Sequence, residues 1–130
     1  MGNGYRGYKD LNVYKLSYQM ALEIYEISKT FPTEEKYSLT DQIRRASRSI
    51  PTNIAEAWKK RGYQKAFVYK LIDCAGEAGE VEVWLDFSRD FKYISNGKHK
   101  YFMDNYQDIN KMLFGILSKP EKFCKQKWGK

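Results

Sequence analysis

Phe67, Leu71, Cys74, Ala78, Val81, Leu85 and Ser88 follow one another in alternating steps of four and three residues, the clearest repeat in the chain. Such steps keep returning to one side of a helix, so the segment predicts an amphipathic helix over roughly Gln64 to Asp90 with these seven positions facing inward. Gly62 marks the turn before it. Gly76 and Gly79 lie inside this helix, where each costs about 1 kcal/mol of helix propensity. Close approach by a neighbouring helix would offset that cost; a local bend is the other reading.

Three further segments carry helical spacing. Asp10 can cap a first helix that reaches about Thr30, with Val13, Leu16, Met20, Ala21, Ile24 and Ile27 on one side. Pro32 should stop it near Phe31. Thr33, Glu34 and Glu35 offer a cap and an acidic first turn for the second helix, and Ser38 offers an alternative start. Its inward positions are Leu39, Ile43, Ala46, Ile50, Asn53 and Ala57. Pro51 falls within this pattern and should kink the helix rather than divide it. The run Ser95–His99 reads as a turn around Asn96-Gly97. A fourth helix is expected from about Lys100 to Leu117, with Phe102, Tyr106, Ile109, Leu113 and Ile116 inward and Pro120 beyond its end. The fold class is therefore all-α, an up-and-down four-helix bundle over residues 10–118, with a flexible glycine-rich leader at 1–9 and a basic tail at 119–130.

At 130 residues the chain suits one core, so function belongs on its surface or between copies. A formal charge of +7 favours anionic partners. From Arg44 to Lys70 eight basic residues face Glu56 alone, a local balance of +7. From Asp73 to Asp90 the balance is −5. Opposite poles of this kind can steer polyanions or dock the molecule to itself. Cys74 and Cys124 are too few for a disulfide scaffold or a four-ligand metal site. No apolar run approaches the roughly 20 residues of a membrane span, and no signal-peptide pattern opens the chain, so a cytoplasmic location and no membrane partner are expected.

The segments DLNVYKLSYQMALEIYEISKTFP and YSLTDQIRRASRSIPTNIAEAW carry a specific ordered pattern: Phe31-Pro32, Gln42-Ile43-Arg44-Arg45-Ala46, Ser49-Ile50 and Asn53-Ile54-Ala55-Glu56. In these residues the chain resembles the 23S rRNA-intervening sequence proteins, also called S23 ribosomal proteins, over about Asp10 to Leu117. The resemblance implies a small bundle assembled as a closed homo-oligomer, a homopentamer foremost. A more distant resemblance, to accessory proteins of diversity-generating retroelements, implies pentameric bundles that bind nucleic acid and a reverse transcriptase. Two positions depart from the family pattern. Ala57 and Trp58 follow Ile54-Ala55-Glu56 where the family has glycine, and Glu77 stands in a serine position between Gly76 and the retained Glu80.

Arg44, Arg45, Arg48, Lys59, Lys60, Arg61 and Lys65 are the candidate nucleic-acid-binding residues, since arginine grips phosphate with a planar fork and lysine supplies a mobile charge. Arg44 and Arg48 should share a face, and Asp41 is placed to pair with Arg45; surface or intersubunit ion pairing is the competing role for the whole group. Asn53, Glu56, Trp58 and Glu80 are the structural or interface candidates, with Asn53 and Glu56 in a polar network. Trp58 abuts Lys59, Lys60 and Arg61, which would suit base stacking if its ring were exposed. Tyr14, Tyr18, Tyr25, Tyr63 and Tyr69 could cover a wet interface. His99 reads as a solvent-facing or capping residue of the turn, Cys74 as core and Cys124 as exposed tail. Asp73, Glu77 and Glu80 lie on adjacent turns but lack a histidine partner, so basic neighbours are a simpler account than a metal. No catalytic, cofactor or metal site is expected. The reading is a noncatalytic homo-oligomer that binds RNA or DNA without sequence preference; the alternative is a scaffold for an acidic protein.

Overall fold

The computed structural model describes residues 5–124. Four helices make the bundle: α1 (Asn12–Ser28), α2 (Leu39–Lys59), α3 (Gln64–Asp90) and α4 (Asn96–Ser118). Each packs on its chain neighbour and α1 closes on α4, while the diagonal pairs α1–α3 and α2–α4 do not meet. Short connections force this up-and-down order.

The expected α3 bounds and its seven inward residues are those observed, all buried. Elsewhere the core admits residues that an apolar pattern overlooks. Ser17, Ser28 and Ser47 are buried, and each hydroxyl donates to the carbonyl three residues back, at 3.2, 2.9 and 3.1 Å. A serine satisfied by its own helix costs little to bury. Asn53, expected inward, is only half-buried, and Ile54 takes the core position.

The helix ends differ from expectation for local reasons. Asp10 does not cap α1. It lies in a 3-10 turn (Tyr8–Asp10), its carboxylate accepts from the Arg6 amide at 2.8 Å, and Leu11 precedes the helix. Ser38 precedes α2 but does not cap it by its own hydroxyl. The Glu35 carboxylate takes that role, accepting from Ser38 Oγ at 2.6 Å and the Leu39 amide at 3.4 Å. Pro51 sits buried within an undivided α2.

At Asn96-Gly97 the structure has the first turn of α4, capped by Ser95, which accepts from the Lys98 amide at 3.0 Å. The reversal lies earlier, at Lys92, whose φ of 66° is left-handed. The Tyr93 and Ile94 amides close it by donating to the Ser88 carbonyl at 2.8 and 3.2 Å. His99 is consequently helical and partly buried; its Nε2 lies 2.7 Å from Asp86 Oδ1. Tyr93 then locks this end, donating to Glu35 at 2.8 Å, which pushes its own pKa up to about 12.

Neither glycine of α3 is explained by a neighbouring helix. A Cβ added at Gly76 or Gly79 would meet nothing within 4 Å, so the expected close approach does not occur within the chain.

Candidate nucleic-acid interface

The basic residues of α2 separate onto different sides of the bundle. Arg45 turns toward α3, where Nη1 lies 3.4 Å from both oxygens of Glu77 and Nη2 donates to Glu80. Glu80 also accepts from the Trp84 indole at 3.2 Å. The Arg45 hydrogen bond leads in holding the Glu80 carboxyl below its usual range, and the same bond raises the Arg45 guanidinium. The expected Asp41–Arg45 pair is absent because the cross-helix carboxylates capture the guanidinium. Sequence spacing reveals only partners on the same helix, which is why this pairing was missed.

Arg44 and Arg48 share a face, as their spacing required, and that face is turned toward α1. Both lie over the Tyr25 ring, at 4.6 and 5.6 Å, and Arg44 Nε donates to Ser28 Oγ at 2.7 Å. Among the described residues neither has a carboxylate partner. Asn53 and Glu56 meet on Lys70, whose Nζ lies 3.4 and 3.3 Å from them, a link between α2 and α3.

Lys59, Lys60, Arg61 and Lys65 stand at the α2–α3 connection, and the chain ends fold back onto that same end of the bundle. Tyr5 meets Trp58 edge-on at 6.1 Å and stacks on Phe123 at 5.9 Å; Phe123 in turn stacks on Phe67 at 6.2 Å. This packing brings Arg6 and Lys9 beside Lys59 and Arg61 around one concavity of about 460 Å³. Lys119 and Lys122 line the next, of about 300 Å³. The acidic residues here are few: Asp10 is occupied by the Arg6 amide, and Glu121 follows Pro120. Among the described residues no ion pair engages Lys9, Lys59, Lys60, Lys65 or Lys119. Sequence reasoning found only the middle of this cluster, because the outlying residues come from both ends of the chain.

Trp58 is not available for base stacking. It is 5% exposed, and Arg61 covers its ring at 4.2 Å while donating to its carbonyl at 2.9 Å. The contact holds the Arg61 guanidinium in place at the surface. Cys124 is half-buried rather than exposed, since the Pro120–Lys122 turn packs the chain back on α3. Residues 125–130 of the expected tail and 1–4 of the leader lie outside the described residues.

Among the described residues, the reactive side chains of Cys74 and His99 are held by their surroundings. Burial pushes the Cys74 thiol up to about 12, His99 is engaged by Asp86 and Arg89, and no group of three or more His, Cys, Asp or Glu residues there could hold a metal ion. Nor is any helix among them long and apolar enough to cross a membrane.

Four helices in up-and-down order, each packed on its neighbours, define a small all-α protein of the four-helix-bundle class. The 23S rRNA-intervening sequence protein model matches residues 9–115, and the chain belongs to that family. It is similar to a solved protein of unknown function from the S23 ribosomal protein family of Bacteroides thetaiotaomicron VPI-5482. The two are 30% identical, with a TM-score of 0.75 over 82% of this chain and 96% of that one. No curated protein matches.

Proposed function

We propose that the chain is a noncatalytic homo-oligomeric assembly protein that presents its basic end to RNA or DNA. The single observation carrying this reading is the convergence of Arg6, Lys9, Lys59, Lys60, Arg61, Lys65 and Lys119 on one end of the bundle, nearly free of carboxylates. Clustered cations gain affinity for a polyanion by releasing its condensed counterions, and they read phosphate rather than base edges. Burial of Trp58 takes its indole away from bases, which leaves the surrounding cations to contact phosphate there. The family resemblance supports the oligomer, with a pentamer favoured. The distant resemblance to retroelement accessory proteins supports nucleic acid as the ligand.

Light scattering of nuclease-treated protein, with and without a generic RNA across a salt series, tests both parts. A stable oligomer forming a discrete RNA complex that weakens with salt is the expected result. An oligomer that ignores RNA at low salt overturns nucleic-acid binding and transfers the basic end to an acidic protein partner.

A further inference from the structure

The side of α3 facing away from the core is itself apolar. Ile72, Val83 and Phe87 are 49, 50 and 43% exposed, with Gly76 and Gly79 between them leaving a flat strip open to solvent. Helical spacing sets these five residues opposite the buried stripe through Cys74, Ala78 and Val81. A second apolar surface lies elsewhere on the molecule. Tyr14, Tyr18, Leu22 and Tyr25 of α1 form an open groove of about 750 Å³ with Pro51 and Ala55 of α2. Since α1 and α3 occupy diagonal corners, a copy cannot fill its own groove.

We propose that the outward strip of α3 seats in the α1–α2 groove of a second copy, head to tail. The inference rests on the homo-oligomer reading and assigns its interface. Charge selects this pairing over a symmetric one. Two α3 strips facing each other would oppose two segments of net charge −5. The groove instead has Arg48 in its lining and Arg44 beside it, neither with a carboxylate partner among the described residues, while Glu56, also in the lining, is paired with Lys70. Asp73, on the flank of the strip, is likewise without a cationic partner there. Joining unlike surfaces produces a ring when the rotation closes, and cyclic symmetry then places every basic end equivalently around it. Glycines at the strip's centre allow the groove helices to approach closely.

Sedimentation analysis of Val83→Glu and Leu22→Glu, alone and mixed, tests the assignment. Both sites are about half exposed, so each variant should remain helical with a cooperative melt. Gly79→Glu and Tyr18→Glu replace either one that does not. Each variant alone should be monomeric. Their equimolar mixture should form a one-to-one heterodimer and nothing larger, because one intact strip and one intact groove remain. A Leu22→Glu protein that stays oligomeric, or a mixture that stays monomeric, overturns the head-to-tail interface. Wild-type protein that is monomeric at every concentration overturns the homo-oligomer reading instead.

Discussion

Arg45 of α2 and Glu80 of α3 form a charged hydrogen bond between helices, and the Trp84 indole donates to the same carboxylate at 3.2 Å. Glu77 adds a second carboxylate at 3.4 Å. The pair takes Arg45 out of the free basic surface and ties α2 to α3. Because Arg45 and Glu80 are 45 and 34% exposed, solvent screening limits the contribution to less than about 1 kcal/mol.

Glu80→Gln should therefore lower stability by less than about 1 kcal/mol at pH 7. The folded carboxyl lies below its ordinary value of 4.5, so its stabilisation is present above that pH and is lost as pH falls through the folded value. Urea denaturation of wild type and variant should show the largest difference near neutrality and convergence in acid, once pH has fallen below the lowered value of the folded carboxyl. A difference that widens in acid would be inconsistent with the ion pair.

Lys92 adopts φ 66° without a glycine's freedom, and its side chain is exposed. Left-handed backbone costs an ordinary residue roughly 1 kcal/mol, partly offset by glycine's greater entropy when unfolded. Lys92→Gly is expected to stabilise the protein by up to about 0.5 kcal/mol in chemical denaturation.

The Tyr106 hydroxyl is fully buried and has no hydrogen-bond partner among the described residues; burial raises its pKa. Deleting an unsatisfied buried group removes its desolvation cost. Tyr106→Phe should raise stability by about 1 kcal/mol, or roughly 4 °C in Tm. A comparable loss would mean that the hydroxyl is satisfied in solution.

The two thiols should react in sequence. Cys74 is buried with its pKa pushed up to about 12, and its thiol faces the Ile50 carbonyl at 3.6 Å. Cys124 is only half-buried. Titration with a chromogenic disulfide under native conditions should therefore count one thiol, with the second appearing only across the unfolding transition.

Replacing Lys59 and Lys60 together by alanine removes two exposed cations from the basic end. If both contact phosphate, the slope of log affinity against log salt for single-stranded RNA should fall by roughly 1.4. Asp41→Asn, at the far end of α2, should leave that slope unchanged.

Much of the scaffold was legible because helix formation has a local signature. The α3 stripe from Phe67 to Ser88 and its bounds needed nothing beyond a period of 3.6 residues, and Pro32 announced the end of α1. Where backbone geometry overrides residue preference, that reading failed. Asn96-Gly97 looked like the reversal, yet Lys92 makes it, since a helix can begin wherever Ser95 supplies a cap.

Periodicity says which side of each helix is apolar; it cannot say which helix covers it or what stands across the contact. The sequence by itself determined four amphipathic helices, their order and the family pattern, all written in neighbouring residues. Only the tertiary structure decided that Arg45 belongs to Glu77 and Glu80, that Trp58 is buried beneath Arg61, and that Arg6 and Lys119 join Lys59 at one end. These relationships span from a few to more than a hundred residues of chain, and a charge finds such a partner only after packing has brought the helices together.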